Sequence, residues 1–262
     1  MSALNKSLAA RKAPILCYVT DSKSLPLATP SDLSSVLIQK IATIASAGVD
    51  WIQLREKHMP ARDLSKLARE ASRHASPRHG EERARPFVIV NDRLDVAIAE
   101  HADGVHLGEN GLPVNEAKLF LESPRVAQTL LFTPTVEGPV PPLPTPAMPV
   151  TTQPAPEKFL LGVSCHSLKG VKSAACDGAS YVFFGPIFAT PSKARMGEPQ
   201  GIAHLAEVCR SVSIPVLAIG GITLENAAAC IKAGAAGIAS IRLFQDAPDA
   251  AEIVKELRKL TA

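Results

Sequence analysis

Short runs of apolar residues, many of them β-branched, recur eight times along the chain, and each is followed by a longer segment with apolar positions at helical spacing. Near-continuous apolar runs are typical of strands that are buried on both faces of a parallel sheet. The longer segments predict amphipathic helices. The predicted strands cover residues 15–20, 51–55, 87–91, 104–107, 160–164, 181–184, 216–219 and 237–241.

Eight alternating strand–helix units predict one α/β domain, a closed (β/α)8 TIM barrel that spans residues 14–262. The alternative is an open, doubly wound sheet, which rarely has so many even repeats. Thr223 with Asn226 indicates the start of the seventh helix. Glycine indicates a left-handed helix end at three positions: Gly48, Gly178 and Gly234.

Two segments do not follow the repeat. Residues 1–13 carry basic side chains without an apolar stretch, so we expect a short disordered lead rather than a signal peptide. Residues 133–157 contain nine of the 22 prolines of the chain and predict a proline-rich insertion between the fourth helix and the fifth strand. We interpret the insertion as an extended loop, and the alternative is a docking site for a proline-recognising partner.

Composition narrows the classes of partner. A net charge of +3 and an aromatic content of 4% do not provide the basic stripe with interleaved aromatics that nucleic acid requires. There is no apolar run of membrane-spanning length. The five cysteines show no CxxC spacing, which argues against a disulfide framework and against a zinc site. We therefore expect a cytoplasmic protein that binds small molecules.

Polar side chains follow the ends of the predicted strands, where the active sites of such barrels lie. After the second strand, alternation places Gln53, Arg55 and Lys57 on the side of the barrel interior, and Leu54 and Glu56 on the other side. An amide, a guanidinium and an ammonium in one place predict a clamp for a pyrophosphate. The alternative is a charged rim exposed to solvent.

The third and fifth strands end in residues with two interpretations each. Asn91 and Asp92 at a barrel mouth can bind a ligand and a magnesium ion, whereas the alternative is an Asx turn that caps the next helix. His166 can act as a general acid or base, whereas the alternative is a hydrogen-bonded helix cap. The fourth strand is followed by a loop that contains Glu109 and Gly111.

The last three strands predict a second site for an anion. The loop after the sixth strand brings two hydroxyls and a lysine close together in the segment from Thr190 to Lys193, which suits a phosphate ester. Gly221, and Ile241 with Arg242, end the last two strands, whose loops often bind phosphate through backbone amides. Two anion sites in one mouth indicate two phosphorylated substrates.

The segments QLREK, VND, GVHLG, GVSCHS, GPIFATPSK and AIGGI follow one another in an order that resembles the thiamine phosphate synthase superfamily, which also includes the thiazole tautomerases. The resemblance extends from Pro14 to Phe244, apart from the insertion. It implies a transferase that joins a hydroxymethylpyrimidine pyrophosphate to a thiazole phosphate with the help of Mg²⁺. The implied contacts to the pyrimidine pyrophosphate are Gln53, Leu54, Arg55, Glu56, Lys57, Asn91, Ser164 and Lys193. The implied contacts to the thiazole phosphate are Thr190, Pro191, Ser192, Gly221, Ile241 and Arg242.

Two positions depart from the pattern of the synthases. Asp92 would hold the metal, but Gly111 stands where the synthases have a second aspartate, and Glu109 is the nearest replacement. Arg242 stands in place of a small hydroxyl residue and would add charge to the phosphate site.

Three functions remain open. The intact QxRxK motif and Asn91-Asp92 favour the synthase, with Arg55, Lys57, Ser164 and Lys193 as the residues that would assist catalysis. A metal-independent thiazole tautomerase, with His166 as the proton shuttle, is the first alternative. A non-catalytic protein that binds intermediates of thiamine biosynthesis is the second. A homo-oligomer is compatible with each of them.

Overall fold

The computed structural model describes residues 13–25, 33–75, 85–122, 159–190 and 198–260. Eight parallel strands form a closed barrel in chain order, in which the first strand pairs with the last. The strands are β1 (Ile15–Val19), β2 (Trp51–Leu54), β3 (Phe87–Asn91), β4 (Gly104–Leu107), β5 (Leu160–Cys165), β6 (Tyr181–Phe184), β7 (Val216–Ile219) and β8 (Gly237–Ser240). The predicted TIM barrel is confirmed.

Helices surround the barrel. They are α1 (Leu33–Ala47), α2 (Ala61–His74), α3 (Leu94–Ala99), α4 (Val114–Glu122), α5 (Leu168–Asp177), α6 (Gly201–Ser211), α7 (Leu224–Lys232), α8 (Arg242–Gln245) and α9 (Ala250–Arg258). A 3-10 turn, Ser22–Ser24, follows β1. Among the described elements, one helix follows each of the strands β1 to β7, and two helices follow β8.

The predicted strand limits agree with the structure for β3, β4, β6 and β7 and differ by one residue at the C-terminal end of the other four. The capping box of Thr223 and Asn226 is present, and the three predicted helix-end glycines have positive φ angles between 92° and 99°. Most of the predicted lead (residues 1–12) and the whole proline-rich segment (residues 133–157) lie outside the described residues, so the lead and the insertion stay predictions.

Two apolar layers hold the fold together. The side chains inside the barrel come from alternate strand positions and include Cys17, Trp51, Tyr181 and Phe183, all at most 2% exposed. The opposite strand faces pack against the helices. Full burial of a large apolar side chain stabilises the fold by about 1.5–3 kcal/mol, so the barrel interior is a packed core that supports the mouth above it.

The interior is crowded enough to require a glycine on β5. A Cβ atom on Gly162 would overlap the phenol ring of Tyr181 on the neighbouring strand. The ring of Tyr181 also lies against Trp51, with 4.6 Å between the ring centroids. Gly162 therefore provides the space in which Tyr181 lies.

All five cysteines are free thiols. Burial raises the pKa of Cys165 to about 12 and that of Cys230 to about 11, so both thiols stay protonated at neutral pH. Of the helices described, none has both the length and the apolar character that a membrane span requires.

Candidate active site

A cavity of about 730 Å³ opens at the C-terminal ends of the strands. Twelve of the residues predicted for the site line it: Gln53, Arg55, Lys57, Asn91, Asp92, Glu109, Ser164, His166, Thr190, Gly221, Ile241 and Arg242. Gly111, the position of the missing aspartate, lines it as well. Leu54 and Glu56 do not line it. Pro191, Ser192 and Lys193 lie outside the described residues, so their contacts with the substrates remain predictions.

A chain of hydrogen bonds crosses the floor of the cavity from β2 to the loop after β4. The Gln53 amide donates to Asn91 Oδ1 at 2.7 Å, and the Asn91 amide donates to Asp92 Oδ2 at 2.7 Å. Asp92 Oδ1 accepts the Gly108 amide at 2.8 Å. Gln53 is 2% exposed, and its Oε1 has no hydrogen-bond partner among the described residues. A buried acceptor without a partner costs free energy, so Gln53 Oε1 is a polar atom of the cavity floor that the described residues do not satisfy.

Asp92 does not form the helix cap that was the alternative interpretation. Its side chain bonds to the Gly108 amide, and the residue before α3 is Arg93, which makes no side-chain cap. The φ angle of Asp92 is 60°, a value that is uncommon outside glycine. Such backbone conformations often occur at functional sites, and here the conformation places the carboxylate at the mouth.

Two residues of the QLREK segment stabilise the fold and do not line the cavity. Leu54 is fully buried between the sheet and the helices. Glu56 is 3% exposed, and its carboxylate accepts hydrogen bonds from the Thr20 hydroxyl at 2.6 Å and from the hydroxyl and amide of Ser22. The predicted substrate contacts of Leu54 and Glu56 therefore do not fit the structure, because strand alternation turns both side chains away from the cavity.

Thr20 positions the clamp and was not identified from the sequence. Its Oγ1 accepts the Arg55 backbone amide at 2.9 Å while its hydroxyl donates to Glu56. These two bonds join the end of β1 to the end of β2. The sequence signal is a hydroxyl residue directly after an apolar strand, which is too common to identify a site.

His106 and Tyr181 form a second polar group that was not identified from the sequence. His106 lies below the cavity and is 1% exposed. Its Nε2 lies 2.9 Å from Ser164 Oγ, and its Nδ1 lies 3.1 Å from the Tyr181 hydroxyl. His106 stands within the GVHLG motif, but an interior position of a strand gives no sign of a polar network. Of these residues, only Ser164 reaches the cavity.

His166 and Glu109 come together at the beginning of α5. His166 Nδ1 donates a hydrogen bond to the Gly185 carbonyl oxygen, so Nε2 of the neutral ring is an acceptor. Glu109 accepts the His166 backbone amide at 3.2 Å. The helix cap is Ser167, which accepts the Gly170 amide at 3.1 Å, so His166 does not act as the cap.

The loops after β7 and β8 form the side of the cavity opposite the clamp. The φ angles of Gly220 and Gly221 are 96° and 65°, which glycine adopts without strain. A Cβ atom on Gly221 would lie 2.6 Å from the Ala189 carbonyl oxygen, so only glycine lets the loop after β7 approach the loop after β6 so closely. The Asn226 amide holds the Gly221 carbonyl at 2.9 Å.

The turn after β8 is joined to the turn after β1 by the buried side-chain amide of Gln245. Gln245 is 3% exposed and lies on α8, the helix that begins at Arg242. Its Oε1 accepts the Asp21 amide at 3.3 Å and the Tyr18 hydroxyl at 2.8 Å, and its Nε2 donates to the Asp21 carbonyl at 3.0 Å. Asp21 and Arg242 both line the cavity, so Gln245 sets the distance between two of its walls.

The acidic groups at the mouth do not form a complete protein cage for a metal ion. Among the described residues, no three His, Cys, Asp or Glu side chains form a group that could hold one. Gly111 closes a tight turn on Gly108 and offers no side chain, and Glu109 is engaged with His166. Asp92 is the carboxylate of the mouth that lies beside the cationic clamp, 3.5 Å from Lys57 Nζ.

Comparison with known proteins identifies one family. The family model for thiamine monophosphate synthase matches residues 17–129 and 145–244. A putative thiamine-phosphate synthase of Geobacter sulfurreducens is 38% identical over 86% of both chains, and the thiamine-phosphate synthase of Methanoculleus marisnigri is 40% identical over 82% of both. The solved thiamine phosphate pyrophosphorylase of Pyrococcus furiosus superposes with a TM-score of 0.67 at 26% identity, with 94% of both chains covered. The chain therefore belongs to the thiamine monophosphate synthase family, as its motifs predict.

Proposed function

We propose that this chain synthesises thiamine phosphate by joining hydroxymethylpyrimidine pyrophosphate to thiazole phosphate, with release of pyrophosphate. The observation that carries the proposal is the clamp of Arg55 and Lys57, which lines one cavity together with Gln53, Asn91 and Asp92. A pyrimidine with a pyrophosphate tail supplies the anion for Arg55 and Lys57. The names of the relatives support the same reaction.

The pyrophosphate would lie against β2 and β3. Arg55 and Lys57 line this side of the cavity, and Asn91 lies next to them. A guanidinium and an ammonium bind phosphate oxygens through charge-assisted hydrogen bonds. Ser164, on the neighbouring wall, adds a hydroxyl that reaches the same space.

The thiazole phosphate would lie on the opposite side. The turn at Gly221 and the beginning of α8 at Ile241 and Arg242 surround this part of the cavity, with Thr190 beside them. The Arg242 side chain is exposed to the cavity, and its charge favours a phosphate dianion. Pro191, Ser192 and Lys193 are the further residues that we propose for this substrate.

The residues present fit a magnesium ion that arrives with the pyrophosphate. Mg²⁺ is often held by one or two carboxylates together with substrate phosphates and water, and Asp92 can supply one carboxylate beside the clamp. Bound magnesium would neutralise part of the charge on the pyrophosphate. Glu109 accepts the His166 amide through Oε1, so Oε2 is the oxygen that could serve a second ligand position.

The chain promotes the reaction chiefly by stabilising the leaving group. The bond between the pyrimidine methylene carbon and the pyrophosphate oxygen breaks, and its electron pair leaves with the pyrophosphate. Arg55 and Lys57 stabilise the charge that develops on that oxygen. The lone pair of the thiazole nitrogen then forms the new carbon–nitrogen bond, and the facing walls of the cavity hold the two substrates in position for it.

The test is to mix the purified protein with both substrates and magnesium and to measure thiamine phosphate. Arg55→Ala should lower the rate between about 10-fold and 100-fold, since a charge-assisted hydrogen bond is lost. Arg93→Ala is the matched control, because Arg93 pairs with Asp95 away from the cavity and should leave the rate unchanged. Absence of product from folded protein would reject the synthase.

A thiazole tautomerase is the second candidate, and the orientation of His166 favours it. The bond to the Gly185 carbonyl leaves Nε2 as a proton acceptor in a residue that lines the cavity. If the synthase assay fails, aromatisation of the phosphorylated thiazole tautomer that is lost in His166→Asn would identify this activity. Binding of the phosphorylated ligands without turnover of either kind would indicate a non-catalytic protein.

A further inference from the structure

Tyr181 and His106 are buried inside the barrel below the cavity, and hydrogen bonds lead from them to Ser164, which lines the cavity. We infer that Tyr181 holds His106 as the tautomer protonated at Nε2, and that this tautomer turns the Ser164 hydroxyl proton toward the bound substrate. Tyr181 and His106 are then positioning residues, and Ser164 is the group that touches the ligand. The inference rests on the proposed function, which identifies that ligand as the pyrophosphate substrate.

The direction of the hydrogen bonds follows from Tyr181. This residue is fully buried, and its hydroxyl bonds to His106 Nδ1 among the described residues. Burial raises the pKa of Tyr181 well above its ordinary value of 10.0, so the hydroxyl keeps its proton. A buried hydroxyl proton requires an acceptor, and Nδ1 accepts only when the neutral ring carries its proton on Nε2.

The tautomer of His106 determines the direction of its hydrogen bond to Ser164. Nε2–H donates to Ser164 Oγ at 2.9 Å, and a hydroxyl that accepts in this way keeps its own proton for another acceptor. Since Ser164 lines the cavity, that acceptor is an oxygen of the ligand. With the other tautomer, Ser164 would donate to His106 and would present only lone pairs to an anion, which would weaken binding.

Packing keeps Tyr181 and His106 in place. The ring centroid of His106 lies 4.2 Å from that of Phe183, and the ring of Tyr181 contacts Trp51 and Phe183. Gly162 leaves the space that the phenol ring fills. The imidazole therefore has little freedom to rotate away from either partner.

The first test measures the tautomer directly and requires no substrate. In protein labelled with ¹⁵N at histidine, the signals of His106 are assigned by their absence from His106→Gln. We expect the Nε2–H pattern in the unmodified chain and a mixture of tautomers in Tyr181→Phe, which loses one oxygen and keeps the ring. Tyr18→Phe is the matched control: Tyr18 is the other of the two tyrosines, is equally buried and bonds to Gln245 instead. An Nδ1–H pattern in the unmodified chain, or no change in Tyr181→Phe, would overturn the inference.

The second test is a double-mutant cycle with the synthase assay. Tyr181→Phe should lower kcat about five-fold to ten-fold when Ser164 is present, because one hydrogen bond is misdirected. In the Ser164→Ala background the same substitution should change kcat less than about two-fold, since its effect passes through the missing hydroxyl. Equal effects in both backgrounds would show that Tyr181 acts through packing alone and would reject the inference. If the unmodified chain has no synthase activity, the proposed function fails and the tautomer measurement still decides the inference.

Discussion

Lys57 Nζ lies 3.5 Å from Asp92 Oδ2, so one ion pair at the mouth of the barrel joins the cationic clamp to the carboxylate proposed for magnesium. The two side chains are 57% and 37% exposed. Ion pairs this exposed contribute between about 0 and 1 kcal/mol to stability. The pair therefore adds little to the stability of the fold, and we expect it to contribute to substrate binding instead.

The first prediction separates these contributions with Lys57→Met. The free energy of unfolding in urea should change by less than about 0.5 kcal/mol. The KM for the pyrimidine pyrophosphate should rise about ten-fold, because a charged contact to the pyrophosphate is lost. Lys66→Met, an exposed position on α2, is the control and should change neither quantity. An unchanged KM would remove Lys57 from the clamp.

The second prediction concerns Gly111, which stands where a second metal-binding aspartate is expected. A Cβ atom there would lie 3.2 Å from the Gly108 carbonyl oxygen, so an aspartate requires only a small shift of the turn. Gly111→Asp should tighten Mg²⁺ binding in the presence of inorganic pyrophosphate about five-fold, the effect of one added charge near the ion in water. Isothermal titration calorimetry measures this change, with Gly111→Asn as the uncharged control. Equal affinities for the two variants would mean that the new carboxylate does not reach the ion.

The third prediction concerns the space that Gly162 leaves for the ring of Tyr181. Gly162→Ala should lower the free energy of unfolding by about 1–3 kcal/mol, because the added methyl group overlaps the Tyr181 ring and forces the barrel interior to adjust. Gly170→Ala is the control, since its methyl group would meet the end of the flexible Glu109 side chain at 2.8 Å and the Ser167 hydroxyl at 3.3 Å rather than a packed ring. Urea denaturation of both variants provides the measurement. A Gly162→Ala variant as stable as the control would show that the ring can move freely.

The fourth prediction concerns pH and the contact between α2 and α3. Burial alone would raise the pKa of Glu100, but hydrogen bonds from Arg69, at 2.8 and 2.9 Å, and from Ser65 outweigh it and lower the pKa below 4.5. A lowered pKa means that this contribution to stability is present above pH 4.5 and is lost as the pH falls through the folded-state value. Glu100→Gln should therefore cost about 1 kcal/mol at pH 7 and progressively less in acid.

Urea unfolding of Glu100→Gln and the unmodified chain at pH 7 and at about pH 3 checks this prediction. Glu70→Gln, on α2, is the control, because Glu70 pairs with Arg73 at a site where the two side chains are 33% and 65% exposed. Its effect should be near zero at both pH values. A cost for Glu100→Gln that does not depend on pH would contradict the charged hydrogen bonds.

The barrel could be predicted from the sequence because each strand is a local feature. An apolar run between turn residues marks its own position, and eight such runs have few closed arrangements. The C-terminal limits of β2 and β8 were predicted one residue too far along the chain. Arg55 and Ile241 continue the residue pattern of their strands, but they lie beyond the last residues that pair with a neighbouring strand. Hydrogen-bond partners on neighbouring strands, rather than the residue pattern, determine where each strand ends.

Strand alternation predicted which side chains after β2 face the cavity, because it separates Gln53, Arg55 and Lys57 from Leu54 and Glu56. The supporting residues could not be predicted in this way. Thr20 and Glu56 are distant in sequence, and so are His106 and Tyr181, so their pairing exists only once the barrel has closed. A single sequence contains no signal for such pairs, whereas the motif resemblance predicts ligand contacts without the residues that support them.

The side-chain amide of Gln245 connects the two strands that close the barrel at the level of the cavity. Its bonds to the backbone of Asp21 tie the turn after β1 to the helix that carries Arg242. Asp21 and Arg242 both line the cavity, so a change in the position of either turn is passed to the other through this one side chain.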